Sequence, residues 1–383
     1  MMTRLALTLV AALLAAAACS TSAVVGGLPA GPFTIGLITS LSGIDLPLGA
    51  DARLGAQLAV DEVNAGGGVG GRQVRLVVGD DGSSAAGAAA AYAALGTAGL
   101  GGVIGPLNAD AASSVVPLSL KRQTPLLSTA GADPPPMRPN LFFASPSATR
   151  SAERMLAYAK GASLSSVAVA HTAGDAFADA SVSALHAGAS RYGVKIAIDS
   201  PFDAGTVDFT PTIEAVRASG AKLLLVVGGG SGPPLLERAW KPSGLDIPIL
   251  LSPASATTAF LRAVSDSGEG ALLETTDSWL APSLPAASAV HRQVDPMAAA
   301  FQRANGYYPS QSAFDGYAGA RLLLRAIAVA GSIDPARVNA ALAGLDLVTA
   351  AGTFHYSARD HLGLPASWLA IARIADGKLV PAA

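Results

Sequence analysis

The sequence predicts an α/β protein of two doubly wound, Rossmann-like lobes, and three observations carry that reading. From residue 33 onward, short apolar runs alternate with longer amphipathic ones, as strands joined by helical crossovers do. The alternation runs to about residue 128 and starts again near residue 148, which suggests two similar units. The chain has 383 residues, 51% hydrophobic and 14% charged. That is too long for one ordinary domain and apolar enough to bury two cores.

In the first series, 33–39 (FTIGLIT) reads as a buried strand. Residues 50–64 read as a helix, with Ala52, Ala56, Ala59, Val60 and Val63 on one face. Gly66 to Gly68 stop it. A strand over 73–78, a helix over 83–98, a strand over 102–104, a helix over 109–121 and a strand over 125–128 follow. The second series pairs a helix over 148–160 with a strand over 166–171, and 175–192 with 195–199. It continues with 207–219 and 222–227, then 234–243 and 247–251. The last third differs: helices over 290–305, 313–330 and 335–343 come in a row before strands at 352–356 and 367–374.

The N-terminus reads as an export signal. Arg4 supplies a basic start, and the uncharged run over 5–18 is too short to cross a bilayer, which needs roughly 20 residues. Small residues lead into Cys19, the single cysteine of the chain. Residues 1–19 therefore resemble a bacterial lipoprotein signal with Cys19 lipidated, although Ala16 stands where a larger aliphatic residue is usual. Residues 20–32 (STSAVVGGLPAGP) are small and uncharged and read as a flexible tether. The expected location is extracytoplasmic, anchored to the membrane.

Composition and motifs point away from several functions. The net charge is −2 and the pI near 6.2. No basic excess is present to neutralise phosphates, so nucleic acid is not an expected partner. Gly66 to Gly71 spell GxGxxG, but a helix precedes them and a strand follows, the reverse of a dinucleotide site. A glycine-rich turn is the better reading. Gly228 to Gly232 do sit between a strand and a helix. They read either as a ligand-facing loop with Ser231 in it, or as a plain loop. The five histidines form no HxxxH or HExxH pair, so no metal site is expected. Asp80 and Asp81 are adjacent on an extended chain and point to opposite sides. Asp81 or a neighbouring serine is expected to cap the next helix. No catalytic constellation stands out, and neither an enzyme nor a cofactor is expected.

Three segments carry a resemblance: ITSLSGIDLPLGADARLGAQLAVDEVNAGGGVGGRQVRLVVGDD at 38–81, GVIGPLNADAASSVVPLSLKRQTPLLSTAGADPPP at 102–136, and SGEGALLET at 267–275. Together they are similar to the solute-binding proteins of branched-chain amino-acid ABC importers, the leucine/isoleucine/valine-binding family. The resemblance implies the type I periplasmic-binding fold, two lobes joined by three crossovers, placed near 144–146, 273–276 and 352–356. Lobe one is then 33–145 plus 276–352, and lobe two 146–275 plus 353–383. It also implies a monomeric receptor that closes on a small molecule and presents it to ABC permease subunits. The alternative is an extracytoplasmic ligand sensor of the same fold feeding a signalling partner.

The family's ligand residues map unevenly. Its serine after the third strand and threonine after the fourth fall on Ala109 and Ala132. Ala130 falls where only backbone contacts are used. Leu48 stands where an aromatic usually precedes Gly49, Phe177 matches the aromatic that closes over the ligand, and no carboxylate occurs at 252–256 around Ala254. A buried ammonium without a carboxylate partner costs several kcal/mol. Unless Asp110 or Asp133 swings in, the expected ligand is therefore less polar than an amino acid. It would be a small carboxylic acid on backbone N–H groups near Ala109, Ala130 and Gly131, or a neutral compound, with Ser231 and Asn108 adding hydrogen bonds.

Overall fold

The computed structural model describes residues 27–131, 138–265 and 267–382. The expected signal with Cys19, residues 20–26 of the tether, and Ala132 lie outside them.

Strands β1 (Phe33–Thr39), β2 (Val74–Asp80), β3 (Leu100–Ile104), β4 (Leu126–Ser128) and β5 (Leu141–Phe143) form one parallel sheet in the order β2-β1-β3-β4-β5. Helices α1 (Leu46–Ala65), α2 (Ala85–Ala94) and α3 (Ala109–Arg122) make its crossovers. Helix α1 starts earlier than the sequence pattern predicts, because Pro47 fits a first turn that needs no N–H from it. Helix α2 is shorter than expected at both ends: Ser84 caps it by accepting from the Gly87 N–H, and Gly96 turns left-handed just beyond it. The GxGxxG stretch is a turn between α1 and β2. Gly68 has φ +77°, and a Cβ there would stand 2.1 Å from the Arg72 carbonyl oxygen.

The second unit repeats this topology. Strands β6 (Ser166–Thr172), β7 (Lys195–Phe202), β8 (Leu223–Val227), β9 (Ile249–Leu251) and β10 (Leu272–Thr276) are parallel, and the order β7-β6-β8-β9-β10 mirrors the first sheet. Helices α4 (Ala148–Gly161), α5 (Ala176–Gly188), α6 (Thr210–Ser219), α7 (Gly232–Trp240) and α8 (Thr258–Val264) connect them. The chain then returns to the first unit through α9 (Asp277–Leu280), α10 (Ala289–Asn305), α11 (Gln311–Ala330) and α12 (Pro335–Leu342). A hairpin of β11 (Asp346–Thr349) and β12 (Gly352–His355) follows. Strands β13 (Leu369–Ala375) and β14 (Lys378–Pro381) finally add antiparallel to β10.

The return to the second sheet comes later than the expected position at 352–356. Phe354, Tyr356 and Leu364 pack into the core of the first unit with Leu37, Phe142 and Phe314. The chain joins β10 only at Leu369. Their large apolar side chains hold this stretch on the first core, which a count of strands cannot reveal. The strands β5, β10, β11 and β14 and the helices α8 and α9 were not expected from sequence. All are short, with three to seven residues each.

Helices α1 and α11 approach closely through glycines. A Cβ at Gly55 would stand 1.9 Å from the Ala313 carbonyl oxygen, and one at Gly316 would stand 2.1 Å from that of Ala52. Helix α11 is buried almost all round from Ser312 to Ala320, so it fixes the N-terminal half of the first unit against its C-terminal return.

Candidate ligand-binding cleft

In open parallel sheets ligands sit beyond the C-terminal strand ends, at the point where strand order reverses. Here those points lie between β1 and β3 and between β6 and β8. The loops leaving both sheets line one cleft of about 1300 Å³.

The first loop is held by the carboxylates that end β2. Asp80 accepts from the Leu41 N–H at 2.8 Å, the Ser42 hydroxyl at 2.7 Å and the Gly82 N–H at 2.9 Å. These bonds, the Gly82 N–H first, hold its carboxyl below the ordinary aspartate range. Asp81 is fully buried and accepts from the Ser40 hydroxyl at 2.7 Å and the Ser83 N–H at 2.8 Å. The two residues thus hold the loop through different partners, and Ser84 supplies the helix cap.

Of the residues expected to meet a ligand, Leu48, Asn108, Ala109, Asp110, Gly131, Phe177, Ser231 and Ala254 line the cleft. Ala130 is not on its wall. It is buried, and its N–H is taken by the Ser128 hydroxyl at 3.2 Å. Asn108 is engaged at both ends of its amide, accepting from the Ala111 N–H at 2.8 Å and donating to Asp45 at 3.1 Å. The Ser231 hydroxyl donates to the Ala204 carbonyl at 3.3 Å. Phe177 lies against Gly131, where an added Cβ would stand 3.0 Å from its ring.

The wall also holds groups that the sequence reasoning missed. Asp315 on α11 is 5% exposed and lines the cleft. Burial raises its carboxyl well above the ordinary range, and the Gln311 amide, donating at 2.7 Å, only partly offsets this. Ser145 and Ser255 line the cleft with buried hydroxyls that have no protein partner. Trp279 and Phe260 add aromatic surface. The signal for Asp315 was present: an acid between Phe314 and Tyr317, in a helical stretch from Ala313 to Ala320 that is otherwise without charge. Among the described lining residues, Arg238 is the one with fixed positive charge, against Asp45, Asp51, Asp110, Asp175 and Asp315.

The histidines are occupied structurally. His171 and His186 pair with Asp199, His291 with Asp295 and His355 with Asp346, while His361 stacks on Phe142. Among the described residues no group of three or more His, Cys, Asp or Glu could hold a metal. No helix there is long and apolar enough to cross a membrane.

Residues 32–378 match the family described as periplasmic binding protein. A curated relative, Leu/Ile/Val-binding protein homolog 3 of Brucella melitensis biotype 1, is 27% identical over 356 residues, covering 91% of this chain and 92% of its own. Two solved structures share the fold. One is the substrate-binding protein of a branched-chain amino acid transporter from Streptococcus pneumoniae, in complex with isoleucine. It has 21% identity and a TM-score of 0.76, covering 91% of this chain and 97% of its own. The other is a solute-binding protein of an ABC transporter from R. palustris, in complex with benzoate. It has 21% identity and a TM-score of 0.74, covering 92% of this chain and 95% of its own.

Proposed function

The chain belongs to the periplasmic binding protein family, a family of solute-binding proteins rather than enzymes, and from that premise we propose that it is the substrate-binding receptor of an ABC importer. It takes a small organic solute into the cleft and closes its two lobes about the crossovers, a hinge motion that buries the ligand. A lipid on Cys19 tethers it outside the cytoplasm. The observation that carries this reading is the cleft itself, built from the C-terminal strand ends of two sheets with the same strand order.

The fold accommodates an amino acid in one relative and an aromatic acid in another. For this chain both an amino acid and a less polar acid or neutral compound enter the reading. The departures at Ala109 and around Ala254 remove the family's usual amino-acid contacts at those positions, while the acidic lining disfavours an anion. A thermal-shift screen of amino acids, small and aromatic acids and their neutral amides tests the receptor function. A solute that binds only the folded form raises the melting temperature, by mass action. Absence of any shift across all classes counts against the reading. For the tether, Cys19→Ala is expected to move the protein from the membrane fraction to the soluble one.

A further inference from the structure

We propose that Asp315 is a cation subsite on the wall of the cleft that also carries the open hydroxyl of Ser145, and that the solute captured there carries a protonated amine. This rests on the receptor reading above and narrows its ligand class.

The geometry begins with Gln311. Its carbonyl oxygen accepts from the Thr276 hydroxyl, so its amide nitrogen is the end presented to Asp315, at 2.7 Å. Thr276 ends β10 and caps α9. The carboxylate is thus oriented by a chain of bonds that starts in the strand leading out of the second sheet. One turn along α11 from Asp315, Gly319 comes so near the first crossover that a Cβ there would stand 3.5 Å from the Cβ of Ala144. Residues four apart share a helix face, so Asp315 lies on the face of α11 that is turned toward Ala144, the residue before Ser145. Both Asp315 and Ser145 line the cleft.

Asp315 is buried, and only the Gln311 amide stabilises its charge; no cation of the described protein offsets its burial. A buried carboxylate with one neutral donor is poorly compensated. A ligand ammonium supplies what is missing: opposite charge, and donors for both the carboxylate and a hydroxyl. Ser145 is 3% exposed and Ser255 4% exposed, and neither hydroxyl has a protein partner. Buried polar atoms ordinarily do, so these two mark places where a ligand completes the bonding. Trp279 and Phe177 also border the cleft, and aromatic faces attract an ammonium rather than a carboxylate. The missing carboxylate at 252–256 is therefore replaced from the opposite lobe.

The purified protein would be incubated with a mixture of the common amino acids, their decarboxylated amines, their deaminated acids and matched neutral amides of those acids. Retained compounds are identified by mass spectrometry. The best of them, and its analogue lacking the nitrogen, are then titrated into the wild type and Asp315→Asn. The retained compound is expected to bear a protonated amine. Loss of either charge, in ligand or protein, should weaken binding about a hundredfold, and Ser145→Ala about tenfold. Unliganded Asp315→Asn should melt no lower than the wild type, because it removes a carboxyl whose ionisation is opposed by burial. Retention of an acid or a neutral compound overturns the proposal and leaves the receptor function standing. So does Asp315→Asn binding the amine within threefold of the wild type. Retention of nothing from any class overturns both. If Asp315→Asn does not fold, the nitrogen-free analogue on the wild type decides alone.

Discussion

The ring of Phe177 covers Gly131 so closely that a Cβ at Gly131 would stand 3.0 Å from the ring and 2.7 Å from the Pro146 carbonyl oxygen. Gly131 follows the first sheet and Phe177 opens a helix of the second, so this contact spans the cleft. The ring can swing away, but the Pro146 backbone has less freedom. Gly131→Val is therefore expected to cost about 1–3 kcal/mol of stability, the usual range for overpacking, and to part the lobes. Small-angle scattering should report a larger radius of gyration. Adding Phe177→Ala should recover part of the loss, because the two sites share one contact. An unchanged radius would show that the glycine is not what lets the lobes approach.

The α1–α11 contact makes a sharper demand. Gly55 and Gly316 both face backbone carbonyls at about 2 Å from an added Cβ, and no rotamer change relieves a clash with backbone. Gly55→Ala and Gly316→Ala are each expected to destabilise by about 3 kcal/mol, the upper end of ordinary overpacking, read from the urea midpoint at constant slope. Because they fill the same interface, the double variant should cost less than the sum of the two.

These contacts show what the sequence conveys and what it does not. The strand at 33–39 is buried on both faces, so a continuous apolar run marked it to the residue. Helix α3 was legible over 109–121, and its cap at Asn108 was not. Three-residue strands such as β5 are too short to show a period, and β14 pairs at the sheet edge with a polar turn beside it. The cleft was legible at Ser231 through a glycine loop between a strand and a helix, and at Ala109 and Phe177 only through the family resemblance; all three line it. Asp315 and Ser145 come from separate passes of the chain, on α11 and after β5. Nothing local in the sequence brings them together. Asn108 looked available, and its two partners, Asp45 and the Ala111 N–H, appear only in three dimensions.

Trp279 offers an optical report of the cleft. Of the three tryptophans, Trp240 is buried in the second core and only Trp279 borders the cleft. Ligand binding is expected to change intrinsic fluorescence saturably, and Trp279→Phe should abolish most of that change while Trp240→Phe leaves it. A signal that survives Trp279→Phe would place the response at Trp368, on the chain's last return to the second sheet.

Asp277 and Glu274 flank the second crossover, and both carboxyls are raised by burial. Asp277 rises to about 6 from 3.8, with Arg154 pulling the other way. Glu274 is raised well above the usual range by burial, and among the described residues its one hydrogen-bond donor is the Ser151 hydroxyl at 2.8 Å. The sign follows from proton linkage. The folded form holds a proton that the unfolded form releases, so stability is complete below the unfolded value and is lost as pH rises through the folded one. For Asp277 the window runs from about pH 4 to pH 6. The full shift would correspond to about 3 kcal/mol, and solvent screening at a partly exposed site reduces it to about 1–2 kcal/mol. Asp277→Asn is therefore expected to match the wild type below pH 4 and to exceed it by that amount at pH 7, measured by urea unfolding at each pH. Glu274→Gln should show the same sign. A variant no more stable at pH 7 than at pH 4, relative to the wild type, would mean that Arg154 already neutralises the crossover carboxylates.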